Sequence, residues 1–286
     1  MTIQTALLQG ASLLEDAGIA VPRLTAEVLL GHAMRRRREY FFAHPEQELR
    51  EVEWIHYGRY LHERLKGKPT QYITGRQEFY GREFRVTADV LIPRPETEHV
   101  VEAALRRRAE WARGGGAARL LDVGTGSGAL AATLQLETGA AAWATDISPA
   151  AARVAAGNAL RLDAAVHVAV CDVLAAVAPN SMDLIVANPP YVPLTQREGL
   201  QREVRDFEPH VALFGGPTGL EIYRRIVDDA PRVLRPGGYL IMELGFGTSD
   251  AVADMLGGWN EVDVEPDLAG IPRVIAARTG GVRRPD

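Results

Sequence analysis

Apolar residues in the first part of the chain recur at helical spacing. Ile3, Leu7 and Leu14 fall on one face of a predicted first helix, and a second helix is predicted to begin after Pro22. A third is predicted from about Glu46 to Lys66, and no strand pattern interrupts the three. The inward-facing residues of the third helix are predicted to be Trp54, Ile55 and Leu61. These segments predict a small helical bundle.

The pattern changes after residue 70. Apolar and aromatic residues from Phe79 to Ile92 are spaced as in a β-hairpin, which Pro93 ends. A helix is predicted from Glu98 to about Arg113. The glycine run Gly114–Gly116 then predicts a flexible break.

From Arg119 onward, short apolar runs alternate with helical segments. This alternation predicts an α/β fold with a mostly parallel sheet covered on both faces. The seven predicted strands are Arg119–Val123, Ala141–Asp146, Ala165–Val170, Met182–Ala187, Gly238–Leu244, Glu261–Glu265 and Arg273–Ala277. The predicted helices are Ala129–Glu137, Pro149–Leu160, Leu220–Val233 and Thr248–Leu256.

Composition narrows the class of protein. At 286 residues, 47% hydrophobic and 24% charged, the chain is typical of a globular protein, and no apolar run is long enough to span a membrane. Its first residues lack a basic leader, and its single cysteine, Cys171, excludes a disulfide framework, so we expect a cytoplasmic protein. The net charge of −5 argues against broad nucleic-acid binding. None of the seven histidines lies in a cluster, so no metal site is expected.

The polar residues that follow the fourth strand are suited to a planar –NH2 group. Two prolines end the strand, so Asn188 is predicted to lie at the carboxyl end of the sheet, where open α/β sheets bind ligands. The amide oxygen of Asn188 and the carbonyl of Pro189 can accept two N–H hydrogens, and Tyr191 offers a flat face. A proline-stiffened loop is the alternative. The candidate catalytic residues are Asn188, Pro189, Pro190 and Tyr191.

The first strand of the sheet runs into Gly124-Thr125-Gly126-Ser127-Gly128, a loop that lets a ligand approach the backbone. Such a loop would also fit a nicotinamide dehydrogenase. However, Asp122 before the loop would repel a pyrophosphate and suit a cation, which favours S-adenosylmethionine. Asp146 is placed for the ribose hydroxyls and Asp172 for the adenine. The candidate cofactor-binding residues are Asp122, Gly124, Thr125, Gly126, Ser127, Gly128, Asp146, Ile147, Asp172, Val173 and Asn188.

Several motifs together resemble one enzyme family. The chain from Pro69 to Arg278 is similar to the HemK/PrmC-type protein-(glutamine-N5) methyltransferases. The motifs that carry this resemblance include LDVGTGSGALA, NPPYVP, VLIPRPETE and LRPGGYLIMELG. The resemblance implies a Rossmann-like class I methyltransferase fold. It also implies methyl transfer from S-adenosylmethionine, leaving S-adenosylhomocysteine, to the glutamine of the Gly-Gly-Gln motif in class I peptide chain release factors. Thr218 and Ile271-Pro272 depart from the family pattern, at positions away from the proposed chemistry.

We therefore expect a monomeric enzyme in three parts. Residues 1–72 would be a helical substrate-recognition domain, 73–98 a β-hairpin connector, and 99–286 the methyltransferase domain. The cluster Arg35–Arg38 would be a solvated helix end or a contact for RNA or an acidic partner. Two alternatives stay open at this point: an amino methyltransferase acting on adenine or guanine in DNA or rRNA, and a non-catalytic binding protein on an inherited fold.

Overall fold

A computed structural model of the chain describes residues 1–112 and 118–280, so the predicted break at Gly114–Gly116 lies outside the described residues. The chain divides into two compact units. The first comprises Met1–Arg76 and Gln201–Phe207, and the second comprises Gln77–Leu200 and Glu208–Asp286. In the described part of the chain, no helix is long and apolar enough to cross a membrane.

The first unit is helical, as predicted. A glycine allows close packing between its first and fourth helices: a Cβ at Gly10 would lie 2.0 Å from the hydroxyl oxygen of the buried Tyr57. The side chain of Thr2 caps the first helix by accepting from the Thr5 nitrogen at 3.2 Å. The helices of residues 1–76 are α1 Ile3–Asp16, α2 Pro22–Met34, α3 Arg38–Ala43, α4 Glu51–Leu65 and α5 Thr70–Thr74.

The predicted inward face of α4 is wrong in two of three positions. Trp54 is 36% exposed and Ile55 is 59% exposed. The buried face is instead made of Glu53, Tyr57, Leu61 and Arg64. Its two charged members are paired, since Arg50 binds Glu53 and Arg64 lies 2.7 Å from Glu203. An apolar pattern alone selects the wrong stripe when charged residues are buried with partners.

The Arg35–Arg38 cluster is exposed but has partly structural contacts. Arg38 donates to the buried carboxylate of Glu27 at 2.7 Å, and the Arg36 guanidinium lies 4.8 Å from the ring centre of Tyr40. Arg35 ends α2 in a left-handed conformation. Arg38 therefore stabilises the unit by neutralising a buried acid.

The boundary between the units falls at the start of a hairpin, whose strands are β1 Arg76–Phe79 and β2 Arg82–Arg85. Tyr80 and Gly81 both have positive φ, 50° and 71°, as a two-residue type I′ turn requires. The predicted extension of the hairpin to Ile92 is wrong. Residues 90–92 are not a strand, although Val90 and Ile92 are buried, because a turn after Thr87 and then Pro93 lead the chain away from pairing.

The described residues confirm the predicted seven-stranded, mostly parallel sheet, in the order β5-β4-β3-β6-β7-β9-β8. Strand β9 runs antiparallel to both of its neighbours. The strands are β3 Arg119–Val123, β4 Ala141–Asp146, β5 Val166–Val170, β6 Met182–Ala187, β7 Leu234–Glu243, β8 Asn260–Pro266 and β9 Pro272–Arg278. The remaining helices are α6 Glu98–Arg106, α7 Arg108–Trp111, α8 Ala129–Thr138, α9 Pro149–Leu162, α10 Arg202–Phe207, α11 His210–Leu213, α12 Glu221–Val233 and α13 Ser249–Met255.

Alternate residues of the central strands pack into separate apolar cores on the two faces of the sheet. Leu120 joins a core with α6, α8 and the hairpin, whereas Leu121 joins a core with α12 and α13. Both leucines are almost fully buried. This two-sided burial explains why the strands read as continuous apolar runs.

The strand order creates a ligand crevice. After β3 the chain builds the sheet in one direction through β4 and β5, and it then returns to place β6 on the other side of β3. The register pairs Val123 with Thr145 on one side and with Ala187 on the other. The carboxyl ends of these strands therefore meet at one edge, at the switch point where such sheets bind ligands.

Candidate active site

The glycine loop connects β3 to α8 at this edge. Gly124, Gly126 and Gly128 all have positive φ, between 54° and 82°. A Cβ at Gly128 would lie 3.2 Å from Ala155 of α9, whereas a Cβ at Gly124 or Gly126 would meet no atom within 4 Å. The first two glycines thus serve the backbone conformation, and Gly128 also serves helix packing. Thr125 and Ser127 are buried within the loop.

Asp146, at the end of β4, holds the loop from the side. Its two carboxylate oxygens accept from the backbone nitrogens of Gly126 and Ser148, each at 2.9 Å. A carboxylate has about four acceptor positions, so two remain for a ligand. Asp146 lines the same cleft as the glycine loop, together with Ile147, which is 52% exposed.

Asp122 lies beneath the loop and is 1% exposed. One of its oxygens accepts from the Thr125 hydroxyl at 2.6 Å and from the Ala131 nitrogen at 3.1 Å. The other oxygen, Oδ1, is buried and has no hydrogen-bond partner among the described residues. Burial raises the pKa of this carboxyl to about 7. An unpartnered buried acceptor on the wall of a cleft is suited to a cationic or hydrogen-bond-donating ligand group.

Asp172 and Val173 lie on another wall of the cleft. Asp172 is half-exposed and pairs at 2.7 Å with Arg225 of α12. Val173 adopts a positive φ of 52°, which is strained for a β-branched residue. Arg225 could not be predicted from the sequence, because nothing in the helical pattern of α12 separates it from other exposed basic residues.

The four candidate catalytic residues follow β6 directly. A hydrogen bond joins the Asn188 nitrogen Nδ2 to the Thr97 hydroxyl oxygen at 3.0 Å, and the Tyr191 hydroxyl donates to Glu243 at 3.3 Å. Asn188, Pro189 and Pro190 line the cleft. The Asn188 oxygen accepts no hydrogen bond from the residues that the structure describes, so it can serve an external donor.

Three glycines shape the loop around these residues. A Cβ at Gly215 would lie 2.3 Å from the Pro190 carbonyl oxygen, and one at Gly219 would lie 2.3 Å from that of Tyr191. A Cβ at Gly245 would lie 2.7 Å from the Tyr191 ring. The backbone and ring can occupy these positions only because the glycines lack side chains.

Besides Arg225, two residues that were not predicted from the sequence contact the candidate catalytic residues. Thr97 and Glu243 occur in the motifs VLIPRPETE and LRPGGYLIMELG, but no role was predicted for either. The Thr97 hydroxyl donates to the Glu243 carboxylate at 2.5 Å, and Glu243 is 2% exposed. An acid closing an otherwise apolar strand was the available signal for Glu243.

An ion pair holds the segment that carries Thr97. Arg94 pairs with Glu208, which is 4% exposed and also accepts from the Ile92 nitrogen at 3.3 Å. The pair joins two parts of the second unit that are 114 residues apart in the chain. Val90, Leu91, Pro93 and Thr97 thereby line the cleft beside the glycine loop.

Comparison with known proteins identifies the family. The family model described as PrmC N-terminal domain matches residues 5–75, and the Methyltransferase small domain matches residues 112–203. Over 283 residues, the chain is 45% identical to the release factor glutamine methyltransferase of Koribacter versatilis, covering 97% of this chain and 99% of the relative. The chain belongs to the release factor glutamine methyltransferase family.

Another member of this family, from Nitratidesulfovibrio vulgaris, is 40% identical over 285 residues, covering 97% of this chain and 95% of the relative. A methyltransferase from Pyrococcus furiosus has the same fold, with a TM-score of 0.50 at 16% identity, covering 71% of this chain and 91% of that one. The family resemblance and the Rossmann-like methyltransferase fold predicted from the sequence are confirmed.

Proposed function

We propose that this enzyme transfers a methyl group from S-adenosylmethionine to the side-chain nitrogen N5 of the glutamine in the Gly-Gly-Gln motif of class I peptide chain release factors. Curated relatives that match almost its full length are release factor glutamine methyltransferases. These relatives do not favour the alternative of an amino methyltransferase acting on adenine or guanine. We also propose that the enzyme is a cytoplasmic monomer that does not bind nucleic acid stably.

The residues of the cleft fit S-adenosylmethionine. The unpartnered Oδ1 of Asp122 can accept from the ammonium group, and the free acceptor positions of Asp146 can accept from the ribose hydroxyls. Ile147 would contact the face of the adenine, and Asp172 would contact its edge. The backbone beside Val173 would form the rest of that wall of the cleft. When bound, the cofactor supplies a methyl group on a positively charged sulfur.

In the proposed reaction, Asn188 orients the glutamine amide for attack on the methyl group. Amide nitrogen is a weak nucleophile because its lone pair is delocalised, so the enzyme must act mainly through orientation. The Asn188 oxygen and the Pro189 carbonyl would accept the two hydrogens of the glutamine amide, and Tyr191 would pack against its plane. Well-oriented attack can lower a barrier by roughly 7–11 kcal/mol, and the same oxygens would stabilise positive charge that develops on the nitrogen.

The observation that carries this function is the free Asn188 oxygen at the carboxyl end of β6. The test is Asn188→Ala with labelled S-adenosylmethionine and an intact release factor. We expect kcat to fall by about 10²–10³-fold, with cofactor affinity largely retained. Retention of most of the kcat would exclude the amide clamp.

Substrate choice needs a separate control. A release factor whose motif glutamine is replaced by leucine should accept no label, and neither should tRNA, rRNA or DNA. Label in any nucleic acid, at a rate equal to that of the release factor, would contradict the proposed substrate.

A further inference from the structure

Glu243 is a buried acid in contact with the candidate catalytic loop, and the proposed function gives it no role. It ends β7 and is 2% exposed. Its Oε2 accepts from the Thr97 hydroxyl at 2.5 Å, and its Oε1 accepts from the Tyr191 hydroxyl at 3.3 Å. Burying a carboxylate carries a large desolvation penalty, so its presence beside the reacting group calls for a function.

When Glu243 is ionised, only one assignment of donors and acceptors satisfies the hydrogen bonds that join Glu243, Thr97 and Asn188. A carboxylate can only accept, and Thr97 has a single hydroxyl hydrogen, which is donated to Glu243. The Thr97 oxygen can then only accept from its other neighbour, 3.0 Å away, so Asn188 must present its nitrogen to Thr97. The Asn188 oxygen is thereby turned away from Thr97.

We propose that Glu243 is a positioning residue. Acting through Thr97, it fixes the orientation of the Asn188 side-chain amide, with the nitrogen towards Thr97 and the oxygen away from it. The inference rests on the proposed function, in which the Asn188 oxygen holds the acceptor glutamine. An amide turned by half a rotation would present N–H groups to the N–H groups of the substrate, and the site would repel its acceptor. Through its second oxygen, Glu243 also holds the ring of Tyr191.

Protonation of Glu243 would reverse the donor and acceptor roles in these hydrogen bonds. A protonated Glu243 can donate to Thr97, which frees the Thr97 hydrogen for the Asn188 oxygen. Among the described residues, the charged and titratable groups that act on Glu243 include Glu96, Arg273 and Tyr191. They also include Tyr223, whose hydroxyl donates to the Glu243 backbone oxygen at 2.7 Å. Burial raises the pKa of Glu243 to about 7, although the hydrogen bonds from Thr97 and Tyr191 act in the opposite direction. Activity should therefore fall as the pH drops through neutrality.

Thr97 variants test the inference. In Thr97→Val the hydroxyl is lost at nearly constant volume, whereas Thr97→Ser keeps it. With a short Gly-Gly-Gln peptide and saturating cofactor, we expect kcat of Thr97→Val to fall at least about tenfold, and its pH dependence near neutrality to disappear. Thr97→Ser should keep both the rate and the pH profile. The KM for the cofactor should change in neither variant.

Two further measurements remove the dependence on a single variant. Glutamine does not titrate, so Glu243→Gln should lose the fall in kcat near neutral pH even if Thr97→Val folds poorly. In the free enzyme, the side-chain NH2 resonances of Asn188, assigned by their absence in Asn188→Ala, should shift across neutral pH in the wild type. They should not shift in Glu243→Gln.

The outcomes separate this inference from the proposed function. Retention of kcat in Asn188→Ala would overturn the amide clamp itself. If Asn188→Ala is inactive but Thr97→Val keeps the wild-type rate and pH profile, only the positioning role is overturned. A fall in kcat near neutral pH that persists in Glu243→Gln would belong to another group, such as Asp122, and would also overturn it.

Discussion

The carboxylate of Asp146 accepts a hydrogen bond from the backbone nitrogen of Gly126 at 2.9 Å. Because its other oxygen accepts from the Ser148 nitrogen, Asp146 shapes the glycine loop as well as offering free acceptor positions. An asparagine could not replace it without placing an NH2 group opposite one of these N–H donors.

Asp146→Ala should weaken S-adenosylmethionine binding. Hydrogen bonds to charged groups are worth about 1.5–3 kcal/mol, which corresponds to about a 10- to 150-fold rise in Kd by calorimetry. Asp228→Ala, which removes an exposed acid from α12, is the matched control and should bind normally. Unchanged affinity in Asp146→Ala would exclude its assignment to the ribose.

Asp122→Asn should stabilise the free enzyme but weaken cofactor binding. The asparagine oxygen can keep the bonds to Thr125 and Ala131, while its nitrogen takes the place of the unpartnered oxygen. Because the folded-state pKa is raised from 3.8 to about 7, ionisation disfavours the folded state. The penalty is absent below the unfolded pKa and grows as the pH rises towards 7.

Thermal unfolding at several pH values measures this effect. We expect Asp122→Asn to gain on the order of 4 kcal/mol above pH 7 and nothing below pH 4, with a higher Kd for S-adenosylmethionine. Exposed Asp228→Asn should show neither change. A stability gain without loss of affinity would remove Asp122 from the cofactor site.

Gly219→Ala should damage the catalytic loop more than an ordinary glycine substitution. Gly219 has a φ of 82°, and its added Cβ would lie 2.3 Å from the Tyr191 carbonyl oxygen. Gly139, which ends α8 with a φ of 69°, has open space around the same position. We expect Gly139→Ala to lose about 1–2 kcal/mol of stability with normal kcat, and Gly219→Ala to lose more stability and most of its activity. Equal effects would show that the contact with Tyr191 is unimportant.

Charge reversal at Arg36 and Arg37 tests the proposal that residues 1–72 recognise the release factor. Both side chains are exposed, whereas Arg38 is excluded because it pairs with the buried Glu27. We expect Arg36→Glu with Arg37→Glu to raise the KM for intact release factor at least about tenfold, and to leave methylation of a Gly-Gly-Gln peptide unchanged.

The control for this prediction is Arg153→Glu, which reverses an exposed charge on α9 of the second unit. It should not change the KM for the release factor. An equal loss on peptide and intact factor in the double variant would count against a recognition role for the cluster.

Much of the sheet was predictable because its strands are short apolar runs buried on both faces. The predicted bounds of β3, β4 and β6 agree with the structure. The placement of β9 between β7 and β8 was not predictable, because pairing joins residues that are distant in the chain. The face of α4 was misassigned because paired charges, such as Glu53 with Arg50, occupy buried positions.

The candidate site was also only partly predictable from the sequence. Asn188 and the glycine loop could be found because each follows a recognisable strand. Glu243 and Thr97 could not be connected, since 146 residues separate them and only the folded sheet places their side chains 2.5 Å apart. Local sequence predicts which residues are polar at a strand end, but not which of them meet.

The hydrogen-bond chain through Asn188, Thr97 and Glu243 also determines when the site can form during synthesis of the enzyme. Its members come from three separate segments, and the last of them ends β7. A chain still being made on the ribosome contains the glycine loop and Asn188 before β7 exists, and its asparagine amide then lacks the hydrogen-bond chain that fixes its orientation. Chains released before Glu243 is added would therefore carry the sequence motif of a methyltransferase without an ordered acceptor site.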